Sequence, residues 1–237
     1  MPWAYLRRGL AAGLLAGVLA GLFALFFAEP VLDRAIEREE ATHSARGHHG
    51  VEPPFDRGEQ KAGMILATAL YGASVGALFG LLAAFLWRRL PARSGWRRGL
   101  ALAGAVFAGA VLLPYAKYPP NPPGVAADPA TLTERTLTYL VLVALSLLSM
   151  LAAWRFARAL DALSAATRAL VAGGTLLVLW TFLFFALPDF GRVVGDAPER
   201  LIFDFRISSL ATQAVLWAGI GLFFGLLVER AGRRGLS

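Results

Sequence analysis

Six long uncharged stretches dominate the chain, at about 9–28, 62–87, 98–115, 136–157, 168–187 and 209–228, with the charge gathered between them. A bilayer core about 30 Å thick needs roughly 20 apolar residues at a helical rise of about 1.5 Å. All six stretches qualify, and none carries an ionisable residue in its central part. The pattern predicts an all-α fold, a polytopic transmembrane helix bundle of six spans forming a single membrane domain over 1–237. Arg88, Arg89, Arg93, Arg97 and Arg98 surround Pro91 and Gly95 in a short turn between the second and third spans. Arg155, Arg158 and Arg168 bracket the turn between the fourth and fifth.

Composition sharpens this picture. Of 237 residues, 57% are hydrophobic and 16% charged, and there is no cysteine. Soluble domains carry about 25% charge. An ordinary soluble enzyme, a disordered chain and a disulfide-stapled secreted domain are excluded. The net charge of +7 is read loop by loop, because the positive-inside bias accounts for it without a nucleic-acid partner. With both termini cytoplasmic, the inner segments hold 13 basic residues and two acids, Asp161 and Glu229. The outer segments hold the other 10 basic residues and 14 of the 16 acids. The two sides then carry +11 and −4. Arginine outnumbers lysine 21 to 2, a usage typical of high-GC bacteria. The first stretch is too long for a signal peptide and has Phe26 at the cleavage position, so it reads as a retained anchor.

Glycines recur every four residues in three spans: Gly9, Gly13, Gly17 and Gly21; Gly72, Gly76 and Gly80; Gly221 and Gly225. Small residues at this spacing let two backbones approach closely in lipid. Close packing of the first hairpin is the expectation.

The extracytoplasmic loop 29–61 holds all three histidines. Glu29-Pro30 opens it, and proline biases the residue before it away from helical geometry. The first helix is therefore expected to end at Glu29. A carboxylate at a helix C-terminus wants a cation nearby, and the candidates are Lys117 or Arg206 from the other loops, or a passing metal ion. Asp33, Glu37 and Glu40 share one face if the stretch is helical. His43, His48 and His49 follow among glycines. Imidazole and carboxylate together suit borderline divalent ions such as cobalt, nickel or zinc. The candidate metal set is thus His43, His48, His49, Glu29, Asp33, Glu37 and Glu40; a solvated charged loop is the alternative.

The second outer segment, 114–124, is rich in proline and is expected to run extended across the membrane surface. Thr131 to Glu134 reads as a capping box starting the fourth helix. Each even-numbered span is preceded by an acid beside an arginine: Asp56-Arg57, Glu134-Arg135 and Asp204-Phe-Arg206. Lys117, Asn121, Arg135 and Arg206 are candidates for structural or gating roles.

These segments resemble the CbtA family of bacterial cobalt transporter subunits. The resemblance lies in the glycine-rich first span ending Phe27-Ala28-Glu29-Pro30, the acidic histidine-bearing loop, and the run Pro114-Tyr-Ala-Lys117-Tyr118-Pro119-Pro120-Asn121-Pro122-Pro123-Gly124. Leu187-Pro188 and the stretch from Phe205-Arg206 to Trp217 also fit. It implies a cobalt (divalent metal) transporter subunit of the bacterial cytoplasmic membrane, linked to cobalamin supply. It also implies a partner, the small single-span CbtB, and Co2+ as transiently bound cargo, with Ni2+ or Zn2+ as alternatives. Here six spans are counted where the family is described with about five.

No nucleophile–base set or metal triad lies on a span, so an enzyme is not expected. Two readings remain, a metal permease subunit and a non-transporting membrane scaffold that binds another membrane protein.

Overall fold

The structure, a computed structural model, describes residues 2–45, 56–90, 94–123, 125, 131–190 and 197–233, without the side chains of 42–45. Among the described residues the chain is helical, with no strand. Six helical segments are long and apolar enough to cross a membrane: Pro2–Phe27, Arg57–Arg89, Gly95–Lys117, Leu132–Ala159, Ala165–Ala186 and Glu199–Arg233. The all-α, six-span expectation holds.

In chain order the helices are α1 (Pro2–Phe27), α2 (Glu29–Ala45), α3 (Arg57–Leu86), α4 (Gly95–Phe107), α5 (Leu113–Lys117), α6 (Leu132–Ala159), α7 (Ala165–Ala186) and α8 (Glu199–Arg233). A 3-10 turn, Trp87–Arg89, extends α3, and a π-helical segment, Ala108–Leu112, joins α4 to α5. They fall into two compact units, the first Met1–Ala105, Pro120–Val125 and Gly195–Ser237, the second Val106–Pro119 and Ala126–Val194.

In the first unit, α1 and α3 run antiparallel with glycine facing glycine. A Cβ on Gly9 would lie 2.9 Å from the Gly80 Cα, one on Gly13 2.8 Å from the Gly76 Cα, and one on Gly17 2.8 Å from the Ala69 Cα. The four-residue spacing therefore serves contact between backbones, as expected for the first hairpin. Gly221 and Gly225 use the same device against a different partner. A Cβ on Gly99 would come 3.2 Å from the Gly225 Cα, and one on Gly225 2.6 Å from the Trp96 Cα. Gly95 is thus the first residue of α4 and not part of a turn. The Glu229 carboxylate accepts from its backbone N–H at 3.2 Å.

α1 stops at Phe27 and α2 begins at Glu29, which corrects the expectation that the chain leaves helical geometry there. Proline is well tolerated in the first turn of a helix, where its missing N–H would have no partner. The Ala28 carbonyl accepts the first bonds of α2, from Val31 at 3.1 Å and Leu32 at 3.0 Å. Val31 and Ala35 then pack with Leu201 and Phe205 of α8.

α3 starts with a full capping box. Asp56 accepts from the Glu59 N–H at 2.8 Å, and the Glu59 carboxylate accepts from the Asp56 N–H at 3.0 Å. α6 lacks the box expected of Thr131 and Glu134, because no side chain caps it. The Thr131 hydroxyl instead accepts from Arg135 Nε at 2.9 Å.

The core of the second unit is Leu113, Leu142 and Leu183, with Tyr118, Trp180, Phe184 and Leu187 against it. The π segment holds Gly109, whose carbonyl accepts from the buried Ser146 hydroxyl at 2.7 Å. Ser149 donates to the Ser146 carbonyl at 2.7 Å and accepts from the Trp180 indole at 3.0 Å. These polar groups are satisfied, as groups removed from water must be.

A buried carboxylate clasp at the start of helix 2

Glu29 is a buried charge, only 5% exposed. Its position in the first turn of α2 places its negative charge at the positive end of the helix dipole, the reverse of the expected C-terminal placement. Arg57 donates to it at 2.8 Å, and Lys61 stands 3.9 Å away. Asp33, one turn further along α2, reaches the same guanidinium and lies 3.9 Å from the same ammonium. Two carboxylates from one helix therefore converge on one cationic position, supplied by the first turn of α3. The capping box makes Arg57 the first residue of α3, so a local signal in Asp56-x-x-Glu59 sets the geometry of the clasp.

The partners expected for Glu29 are used elsewhere. Lys117 donates to the Phe184 carbonyl at 2.6 Å, next to the end of α7, where the dipole favours a cation. Its ammonium also lies 5.3 Å and 5.0 Å from the ring centres of Tyr118 and Phe184. Tyr118 donates to the Pro188 carbonyl at 2.6 Å. Burial first, and then the nearby Asp189 carboxylate, raises the Tyr118 phenol above its ordinary value, which keeps that donor protonated. Arg135 donates to the Phe190 carbonyl at 3.0 Å. These contacts fasten the segment after α7 within the second unit.

In the first unit Arg206 donates to the Pro120 carbonyl at 3.2 Å and to Asn121 Oδ1 at 2.9 Å. Residues 119–122 take no helical form, as the prolines require. Arg57, Arg135 and Arg206 thus reach across to other segments. Each of these contacts joins residues more than 25 positions apart in the chain.

Glu37 and Glu40 are exposed on α2. His43 lies in the last turns of α2, its side chain outside the described residues, and His48 and His49 lie outside them altogether. Among the described residues no group of three His, Cys, Asp or Glu side chains is arranged to hold a metal. The sequence reading missed Arg57 and Lys61 as partners of Glu29, although their place four residues apart at the head of a helix was a usable signal.

No curated protein and no solved structure matches the chain. A family model does, over residues 3–229 of 237, and its description is a probable cobalt transporter subunit. The match covers all six spanning helices, the clasp and the proline segment, so the chain is a multi-pass membrane protein that belongs to the CbtA family.

Proposed function

We propose that this chain is the membrane-embedded subunit of a cobalt uptake system in the bacterial cytoplasmic membrane, serving cobalamin supply, with both termini in the cytoplasm. In this reading α2 and the residues after it, up to 61, collect Co2+ outside the cell. His43, His48 and His49 offer imidazole, and Glu29, Asp33, Glu37 and Glu40 offer carboxylate, a ligand set suited to cobalt and also to nickel or zinc. A small single-span subunit of the CbtB kind is the proposed partner.

The observation that carries the proposal is the convergence of Glu29 and Asp33 on one cationic position, with Glu29 buried. A divalent ion would find two oxygens already turned to a common point. The cargo binds transiently, because Arg57 and Lys61 compete for the same oxygens. That competition also favours a second reading, a scaffold in which the clasp only fastens α2 to α3.

Uptake of radioactive cobalt separates the two, in cells expressing the chain with and without the partner. The variant His43→Ala, His48→Ala, His49→Ala should take up less cobalt at limiting metal and nearly as much at high metal. Equal uptake at every concentration would remove the histidines from the proposal, and no uptake by the native chain with its partner would leave the scaffold.

A further inference from the structure

Arg206, Gln213 and Trp217 follow one another along α8 at spacings of seven and four residues. At about 100° per residue they fall within an arc of about 40° on one face. Phe224 lies within that arc and Ile220 about 20° beside it, and both are completely buried. This face of α8 therefore looks into the first unit.

Polarity changes abruptly along it. Trp217 is 7% exposed. Its indole N–H and the Gln213 side-chain carbonyl are both buried, and neither has a hydrogen-bond partner among the described residues. Other hydroxyls on the spans do have one: Thr68, Ser74 and Thr212 each donate to a backbone carbonyl. An unmade hydrogen bond in hydrocarbon costs several kcal/mol, so a donor and an acceptor left open one turn apart require an explanation. Tryptophan also usually sits at the membrane surface, whereas Trp217 lies about 16 Å along the helix from Arg206. Seven residues beyond Trp217, Phe224 packs against Phe79, Trp87 and Tyr5, with ring centres 5.2 Å, 5.4 Å and 5.9 Å away. From there on the face is sealed by aromatic rings.

We propose that the buried face of α8 borders an aqueous half-pathway. Water enters at the Glu29 end past Arg206, hydrogen-bonds Gln213 and Trp217, and stops at the ring cluster around Phe224. Water supplies an acceptor to the indole and a donor to the amide, and a buried molecule of this kind needs two to four polar partners. Arg206, tied to Pro120 and Asn121, holds the proline segment across the mouth. The inference does not depend on the cargo or on which side of the membrane the mouth faces.

The natural chain has no cysteine, so an introduced thiol is the one site for a charged, membrane-impermeant methanethiosulfonate. Glu37→Cys, exposed on α2, identifies the face of the membrane from which the reagent must act. From that face Gln213→Cys should react about tenfold or more faster than Ala214→Cys, since the attacking thiolate forms in water and not in lipid. Ala214, the next residue, has nearly the same depth but an exposed side chain. Phe224→Cys should react as slowly as Ala214→Cys. Should Gln213→Cys not reach the membrane, Ser209→Cys, one turn nearer the mouth, gives the same reading. Reaction at Gln213 no faster than at Ala214, or equally fast reaction at Phe224, overturns the proposal.

Discussion

Gly13→Ala tests whether the glycine contact between α1 and α3 is what holds the first unit together. The added Cβ would lie 2.8 Å from both the Gly72 carbonyl carbon and the Gly76 Cα, and closer still to the Gly72 carbonyl oxygen. Ordinary contact begins at 3.4 Å, and the carbonyl oxygen makes the largest demand, so the helices must part by about 1 Å or more. A gap of about 0.5–1 Å forfeits a quarter to a half of each dispersion contact across it. No flexible side chain can yield, because every contacting atom is backbone. Overpacking of this kind costs about 1–3 kcal/mol, and a rigid neighbour places it at the upper end. Alanine returns about 1 kcal/mol in helix propensity, leaving a net loss of about 2 kcal/mol. Gly173→Ala is the control, since nothing lies within 4 Å of its added methyl and only the propensity gain remains. The two variants should differ by about 3 kcal/mol in thermal unfolding of detergent-purified protein, with opposite signs. Equal stability would refute the argument that backbone contact sets the α1–α3 distance.

Two further outcomes follow from the polar contacts. Glu29→Gln should lower stability by about 1–3 kcal/mol, below the range for a fully buried pair because Arg57 remains partly exposed; unchanged resistance to heat would show that the clasp adds nothing. Ser146→Ala should cost about 0.6–1.7 kcal/mol by leaving the Gly109 carbonyl of the π segment without its donor; an unaltered unfolding midpoint would mean that the backbone holds that segment alone.

The spans were legible because lipid imposes one simple demand, an apolar run long enough to cross, and the chain meets it six times. The glycine ladder was legible for a related reason, since spacing on a helix is local information. The partner of each ladder was not. Gly95 read as part of a turn and Gly99 as a lone glycine at the start of its span, yet they meet Gly225 and Gly221. Glu29 shows the limit more sharply. Proline after it suggested a helix end, and the same proline is equally at home at a helix start. Which applies depends on whether Ala28 can close α1 and open α2 at once, and that is decided by the packing of Val31 and Ala35 on α8. Its charge partner followed from the same event, because beginning α2 at Glu29 brings the carboxylate to Arg57.

One property of α1 connects the close packing of the first unit to the ring cluster around Phe224. Beside the glycine stripe runs an alanine stripe, Ala12, Ala16, Ala20 and Ala24, the first three completely buried. Glycine faces α3, and Ala16 faces α8, where a Cβ on Gly219 would come 2.9 Å from its methyl. The buried residues of α1 are glycine and alanine only, so this helix brings almost no side-chain volume to the interior. Near the chain terminus Tyr5 still contributes a ring, and with Phe79, Trp87 and Phe224 the space is filled. Around Ala16 α1 offers only methyl groups and hydrogens, which leaves ring packing to the Tyr5 end of the helix. The tapering of side-chain size along α1 is therefore the physical reason that the rings sealing the first unit gather around Phe224, at one end of α8.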